Sequence, residues 1–148
     1  MDSANLQRAW KQVRANHGAP GVDGMSIEAF PAWAREHWKE VAALLESGRY
    51  QPQPVRRVEI EKPSGGKRLL GIPCVLDRVI QQAIAQVLGS EVDGSFHPSS
   101  YGFRPGKSAH QAIKQLQADK QSGYSQAVDL DLEKFFDKVN HEVLMGLL

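Results

Sequence analysis

Two carboxylates stand two residues apart at Asp129 and Asp131, in a run where the apolar side chains Val128, Leu130 and Leu132 alternate with Asp129, Asp131 and Glu133. In an extended strand that period of two places both aspartates on one face, with Cβ atoms roughly 6 to 7 Å apart. Paired carboxylates repel each other unless water or a cation lies between them. Oxygen donors at a strand end suit Mg²⁺, which takes one or two protein carboxylates and keeps its other positions for water and substrate phosphate. A solvated sheet face has the same spacing, so the pair alone leaves both readings open.

Basic residues gather elsewhere. Between positions 49 and 78 there are seven (Arg49, Arg56, Arg57, Lys62, Lys67, Arg68, Arg78) against three acidic ones, whereas between 129 and 142 five acidic residues face two lysines. A chain of 148 residues with formal charge +1 therefore carries one basic and one acidic segment. Basic surface attracts phosphate, and clustered carboxylates repel it unless a divalent cation intervenes. Gly106-Lys107-Ser108 has the ending of a phosphate-binding P-loop, but Tyr101 stands where the first glycine of that loop is required, so the segment reads as a turn into a helix capped by Ser108. Cys74 is the single cysteine and the five histidines form no metal-spaced pair, which excludes an internal disulfide and a structural zinc site.

The elements that must position these residues follow from periodicity. Leu6, Trp10 and Val13 predict a helix over residues 3–16, followed by a Gly/Pro turn at 18–24. Ser26 caps a second helical region, restarted near Pro31, with Trp38, Val41 and Leu45 on one face and a stop at Ser47-Gly48. Residues 55–61 and 67–72, joined by Pro63-Ser64-Gly65-Gly66, predict a β-hairpin over 55–72. Helical spacing of Leu76, Val79, Ile80, Ala83, Ile84 and Val87 predicts a helix over about 75–88. A long connection over 89–106 precedes a helix over about 107–121, whose buried face is expected to be Ala109, Ala112, Ile113 and Leu116. Residues 127–132 then form a strand with an acidic face. The fold class is α+β. At 41% apolar and 24% charged, with no apolar run near the roughly 20 residues of a membrane helix, the composition suits one soluble domain, and the default address is the cytoplasm. The apolar helical start at 141–148 has no polar finish, so the chain reads as part of something longer.

The run from Val128 to His141, with Asp131, Phe135-Phe136, Asp137 and Asn140-His141, resembles the first palm motif of reverse transcriptases of the group II intron maturase type. Pro20-Gly21-Val22-Asp23-Gly24, the hairpin with Lys62, Lys67-Arg68 and Gly71-Ile72-Pro73, the Asp77-Arg78 segment and Tyr101-Gly102-Phe103-Arg104-Pro105 are similar to further blocks of that family, in order along nearly the whole chain. The resemblance implies helix-rich fingers with a β-hairpin plus the first strand of a palm, in an incomplete domain. It divides the chain into an N-terminal helical extension with the first family block (1–48), fingers (49–122) and the start of a palm (123–148). It also implies a bacterial, cytoplasmic RNA-directed DNA polymerase.

Residue by residue, the resemblance implies that Asp131 is the first metal-binding aspartate, with the Leu132 backbone carbonyl as a further Mg²⁺ ligand and Asp129 as a neighbour that tunes the site. It implies that Lys62 and Arg68 grip the incoming dNTP and that Phe136 is a steric gate against the ribose 2′-OH, its alternative being a core aromatic such as Phe135. Arg104 is expected on template backbone. For Arg56, Arg57 and Lys67, template contact and a solvated edge stand even, and Arg78 is open to an ion pair with Asp77 or Glu59. Lys107 joins Arg56, Arg57 and Arg104 as an RNA contact. Partners implied are intron RNA or RNA template, primer DNA and dNTP, with no membrane. The second carboxylate motif of the family, Ala-Asp-Asp, does not occur in the sequence, so these residues alone are expected to be inactive. Apolar palm surface around Leu144, Leu147 and Leu148 would favour a homodimer of the isolated piece. Two alternatives accompany this reading: an RNA-binding maturase module that needs no polymerase chemistry, and a reverse transcriptase serving a CRISPR, retron or diversity-generating element.

Overall fold

The structure is a computed structural model that describes residues 2–61, 63 and 65–147. The elements run α1 (Ser3–Ala15), α2 (Phe30–Glu46), β1 (Arg56–Glu61), β2 (Lys67–Ile72) and α3 (Val75–Val92) with a 3₁₀ turn at Asp93–Ser95, then α4 (Ala109–Gln121), α5 (Phe135–Lys138) and α6 (His141–Leu147). The class is α+β, as the sequence predicts. Contacts divide the chain into two compact units, Met1–Phe96 and His97–Leu148. No helix among the described residues is long and apolar enough to cross a membrane.

The first unit is built around α1 and α3. Asp2 caps α1 by accepting from the amides of Ala4 and Asn5 at 3.0 and 3.2 Å, which satisfies two of the donors a helix start leaves open. The apolar stripe of α1 then delivers Ala9 and Val13 to a core shared with Ile27, Phe30, Val75, Val79 and Ala83. Each buried valine contributes on the order of 1.5–3 kcal/mol relative to exposure. Trp10 and Phe30 meet with ring centroids 5.0 Å apart, which draws the start of α2 onto α1. A polar clasp fixes the register of α1 on α3: Asn5 Nδ2 donates to the Ala83 carbonyl at 2.9 Å, and Gln86 Nε2 donates to Asn5 Oδ1 at 2.7 Å.

Ser26 Oγ accepts from the Ala29 amide at 3.2 Å in the turn before α2, and Pro31 sits in that helix's first turn, as the restart near Pro31 required. The hairpin forms within the predicted span of residues 55–72. β1 and β2 are antiparallel, with Arg56 opposite Ile72 and Glu61 opposite Lys67. Gly65 and Gly66 both take φ near +85°, a left-handed conformation that suits glycine and lets the chain reverse. Helix α3 runs four residues past the predicted end at Leu88. Gly89 does not stop it, because one interior glycine costs only about 1 kcal/mol against alanine.

The second unit departs further from expectation. Ser108 forms the predicted cap, a reciprocal capping box with Gln111. The face of α4 expected to be buried is open, however: Ile113 and Leu116 are 53% and 62% exposed, and no described residue of this unit is buried. An amphipathic helix buries its stripe only against a second layer, and the described residues of this unit form no second long helix or sheet. Residues 127–132, predicted as a strand, pair with no other segment among the described residues, so the acidic run lacks the ladder that defines a strand.

Candidate functional site

The hairpin sorts the basic residues by face. Side chains alternate along a strand, so Arg56, Val58 and Ile60 share one face with Arg68 and Leu70, whereas Arg57, Glu59 and Glu61 share the other with Lys67 and Leu69. Arg56 and Arg57, for each of which the sequence leaves template contact and a solvated edge even, therefore point to opposite sides. Lys67 Nζ donates to Glu59 Oε2 at 2.5 Å in an exposed ion pair, worth at most about 1 kcal/mol. Arg68 is exposed, and among the described residues it forms neither an ion pair nor a side-chain hydrogen bond. Arg56 is half-buried, and its Nε has no hydrogen-bond partner among the described residues. Lys62 lies outside the described residues.

Sequence reasoning missed the group at the foot of the hairpin. Asp77, third residue of α3, is 2% exposed and accepts from Tyr50 Oη at 2.6 Å and from the Gln53 amide at 3.2 Å. A carboxylate in the first turn also faces the positive end of the helix dipole. Burial, and next the hydrogen bond to Asp77, push the Tyr50 phenol well above its ordinary range, so it stays a donor. Arg78 makes neither of the ion pairs left open above. Its Nη2 donates to the Ala19 carbonyl at 2.7 Å, while Asp77 is taken by Tyr50 and Gln53 and Glu59 by Lys67. An acidic residue in the first turn of an otherwise apolar helix face was the signal that could have identified Asp77 as a buried acceptor.

In the second unit Asp131 is exposed, and its Oδ1 accepts from the following amide, that of Leu132, at 2.8 Å. Lys134 then takes a left-handed conformation at φ 51° and starts the short helix carrying the paired phenylalanines. Phe136 is 86% exposed, so the core-aromatic alternative does not hold for it; Phe135, expected in the core, is itself half exposed at 51%. The two rings meet edge to face at 5.3 Å, packing on each other because this unit offers no interior. Arg104 and Lys107 brace their own loop: Arg104 Nη1 donates to the His97 and Ser100 carbonyls, each at 3.1 Å, and Lys107 Nζ donates to the Pro98 carbonyl at 3.1 Å. The Lys107 ammonium also lies 5.2 Å from the Tyr101 ring centroid. Phe103 stands fully in solvent in this loop, a placement the sequence did not suggest.

Among the described residues no three His, Cys, Asp or Glu side chains gather as a metal site. The exposed carboxylate of Asp131 fits one ligand position of Mg²⁺ and does not by itself make a two-metal centre.

The basic hairpin, and the exposed aspartate five residues before an exposed phenylalanine, are the features that the sequence motifs singled out. The reverse transcriptase (RNA-dependent DNA polymerase) family matches residues 60–148, and the chain belongs to it. It is 38% identical over 146 residues to protein YkfC of Escherichia coli, covering 95% of this chain and 38% of that protein. It is 35% identical over 141 residues to the group II intron-encoded protein LtrA of Lactococcus lactis, covering 95% of this chain and 23% of LtrA. A 91 kDa protein in the cob intron of Schizosaccharomyces pombe is 32% identical over 127 residues, covering 86% of this chain and 15% of that protein. The likeness to intron-encoded reverse transcriptases read from the motifs therefore holds. The chain spans less than half the length of each of these relatives.

Proposed function

We propose that this chain supplies the nucleotide-gripping hairpin and the first metal-ligand aspartate of an RNA-directed DNA polymerase of the group II intron type. The observation that carries the reading is that Arg68, Asp131 and Phe136 all lie in the family-matched region with exposed side chains, and that Arg68 and Asp131 have no opposite charge to neutralise them among the described residues. Arg68 offers a planar fork of donors to triphosphate oxygens, and Lys62 adds a compact charge. Asp131, with the Leu132 carbonyl, would hold Mg²⁺, which when bound stabilises charge on the attacking and leaving oxygens. Phe136 presents a ring edge to the sugar of the incoming nucleotide and crowds a 2′-OH. Template RNA, primer DNA and dNTP are the corresponding partners, and the primer 3′-OH is the nucleophile at the α-phosphate. The 148 residues hold no Asp-Asp dipeptide, so they are inactive by themselves. Primer extension on an RNA template by the intact protein tests the reading. Asp131→Ala abolishes synthesis, and substantial retained synthesis removes Asp131 from the metal site.

The split of the hairpin's charges favours a second role. Arg57 lies on the face opposite Arg68 and forms no ion pair among the described residues, so it can meet RNA backbone. A maturase-like contact of this kind makes RNA affinity fall steeply with salt and survive Asp131→Ala. Filter binding of intron RNA at two salt concentrations separates it from the polymerase role.

A further inference from the structure

The hairpin has two roots, and both stand on the first turn of α3. β2 enters the helix through only Pro73 and Cys74, a covalent root. β1 arrives from α2 through residues 47–55, which form neither helix nor strand. That second root is tied to the helix by Asp77, whose two carboxylate oxygens hold Tyr50 Oη and the Gln53 amide. Pro52 and Pro54 have no N–H, so Gln53 carries the sole backbone donor of residues 52–54, and it is spent on Asp77. Two residues on, Val55 closes the foot of the sheet against Gly71, where a Cβ would lie 2.9 Å from Val55 Cγ2.

Beyond its foot the hairpin has little else to hold it. Of the twelve strand residues only Arg56, Val58 and Ile72 are even half-buried; Arg56 and Ile72 are paired at the foot, and Val58 is next along the same face. The strands pack on each other and neither packs extensively on a described helix. An arm of this kind moves as a lever: Arg68 stands four residues from Ile72, about 13 Å along the strand, so a small tilt at the foot grows at its guanidinium.

We infer that Tyr50 and Asp77 are positioning residues that lock the β1 root of the hairpin to α3 and so set where Arg68 meets a nucleoside triphosphate. The nucleotide half of this inference rests on the polymerase reading above; the mechanical half does not. Tyr50 has the properties of a permanent donor, because its half-buried phenol is held against a carboxylate and resists ionisation. Asp77 requires both oxygens as acceptors. An asparagine there would turn its amide NH₂ toward one of the two donors in either orientation.

Two measurements on the intact protein decide it, with Tyr50→Phe as the main variant because it removes only the hydroxyl. Amide hydrogen exchange of residues 56–61 and 67–72 is expected to accelerate by roughly tenfold while α1 exchange stays at the wild-type rate. The KM for dNTP is expected to rise by about threefold or more with kcat within about twofold. Asp77→Asn shifts both in the same direction and further; if it fails to fold, Tyr50→Phe still carries the test. Unchanged hairpin exchange in Tyr50→Phe overturns the tie. Faster exchange with an unchanged KM keeps the tie and overturns its role in nucleotide placement. If the wild-type intact protein extends no primer, the polymerase reading and the nucleotide role fall together, while the exchange result still decides the tie.

Discussion

Gly21 lies directly against the backbone of Cys74: a Cβ on Gly21 would stand 2.7 Å from both the amide nitrogen and the Cα of Cys74. Cys74 is 1% exposed and precedes the first residue of α3, and four residues on, Arg78 donates to the Ala19 carbonyl. The Gly/Pro loop of residues 18–24 is thereby nested on the start of α3, on which both roots of the hairpin also converge. The Pro-Gly-Val-Asp-Gly block and the Asp77-Arg78 block, far apart in sequence, are two sides of one packed joint.

Gly21→Ala forces that joint apart, since the clash is with backbone and not with the end of a flexible side chain. Overpacking of this sort costs about 1–3 kcal/mol. Gly24→Ala is the control, because its Cβ would meet open space and only its φ of +68° is unfavourable, at about 1 kcal/mol. Urea unfolding followed on the first unit should rank Gly21→Ala as the less stable of the two. The reverse order would show that the loop does not pack on Cys74.

Tyr50 makes a prediction about alkaline pH. Its phenol is raised well above the ordinary value of 10.0, by burial first and by its bond to Asp77 next. A group that holds its proton more tightly when folded contributes stability that is complete below pH 10 and is lost as pH rises from there toward the folded value. Wild type should therefore lose stability above pH 10 more steeply than Tyr50→Phe, with the two curves parallel at neutral pH. Parallel curves throughout would mean that the phenol titrates as it does in the unfolded chain.

How much of this was legible follows the range of the interactions. The hairpin ladder from Arg56 to Ile72 and the Ser108 cap were predictable because two short β-prone runs around a Pro-Ser-Gly-Gly turn, and a serine just before a helical pattern, act over a few residues. The end of α3 was misplaced because Gly89 weakens a helix without terminating it. The strand at 127–132 and the buried face of α4 depend on partners that periodicity does not supply, and the described residues provide none. The motifs identified Arg68, Asp131 and Phe136 as candidates. Its place in the first turn of α3 could have marked Asp77 as a buried acceptor, but Tyr50 lies 27 residues away with no pattern joining the two, so only the fold exposes their tie.

Phe136 is exposed enough to separate function from stability. Replacing an 86% exposed side chain changes unfolding free energy by no more than about 0.5 kcal/mol, in contrast to the several kcal/mol of a core phenylalanine. Phe136→Ala should therefore unfold with the wild-type midpoint while the intact protein incorporates ribonucleotides more readily. A large drop in the midpoint would place the ring in a packed interior, and unchanged sugar selectivity would remove it from the nucleotide site.

Arg68 sets the last prediction, because its charge and its shape are separable. It is exposed on β2 opposite Ile60, so neither Arg68→Lys nor Arg68→Ala should disturb the ladder, and both variants should keep wild-type unfolding. Lysine preserves the charge and loses the planar bidentate fork, while alanine loses both. A charge-assisted hydrogen bond is worth about 1.5–3 kcal/mol, so Arg68→Ala should raise the dNTP KM by about ten- to a hundredfold, with Arg68→Lys between it and wild type. If the alanine variant lowers kcat and leaves KM alone, Arg68 acts on the transition state and not on ground-state binding. If neither constant moves, Arg68 serves RNA, and the salt dependence of RNA binding should then flatten by about one charge in Arg68→Ala.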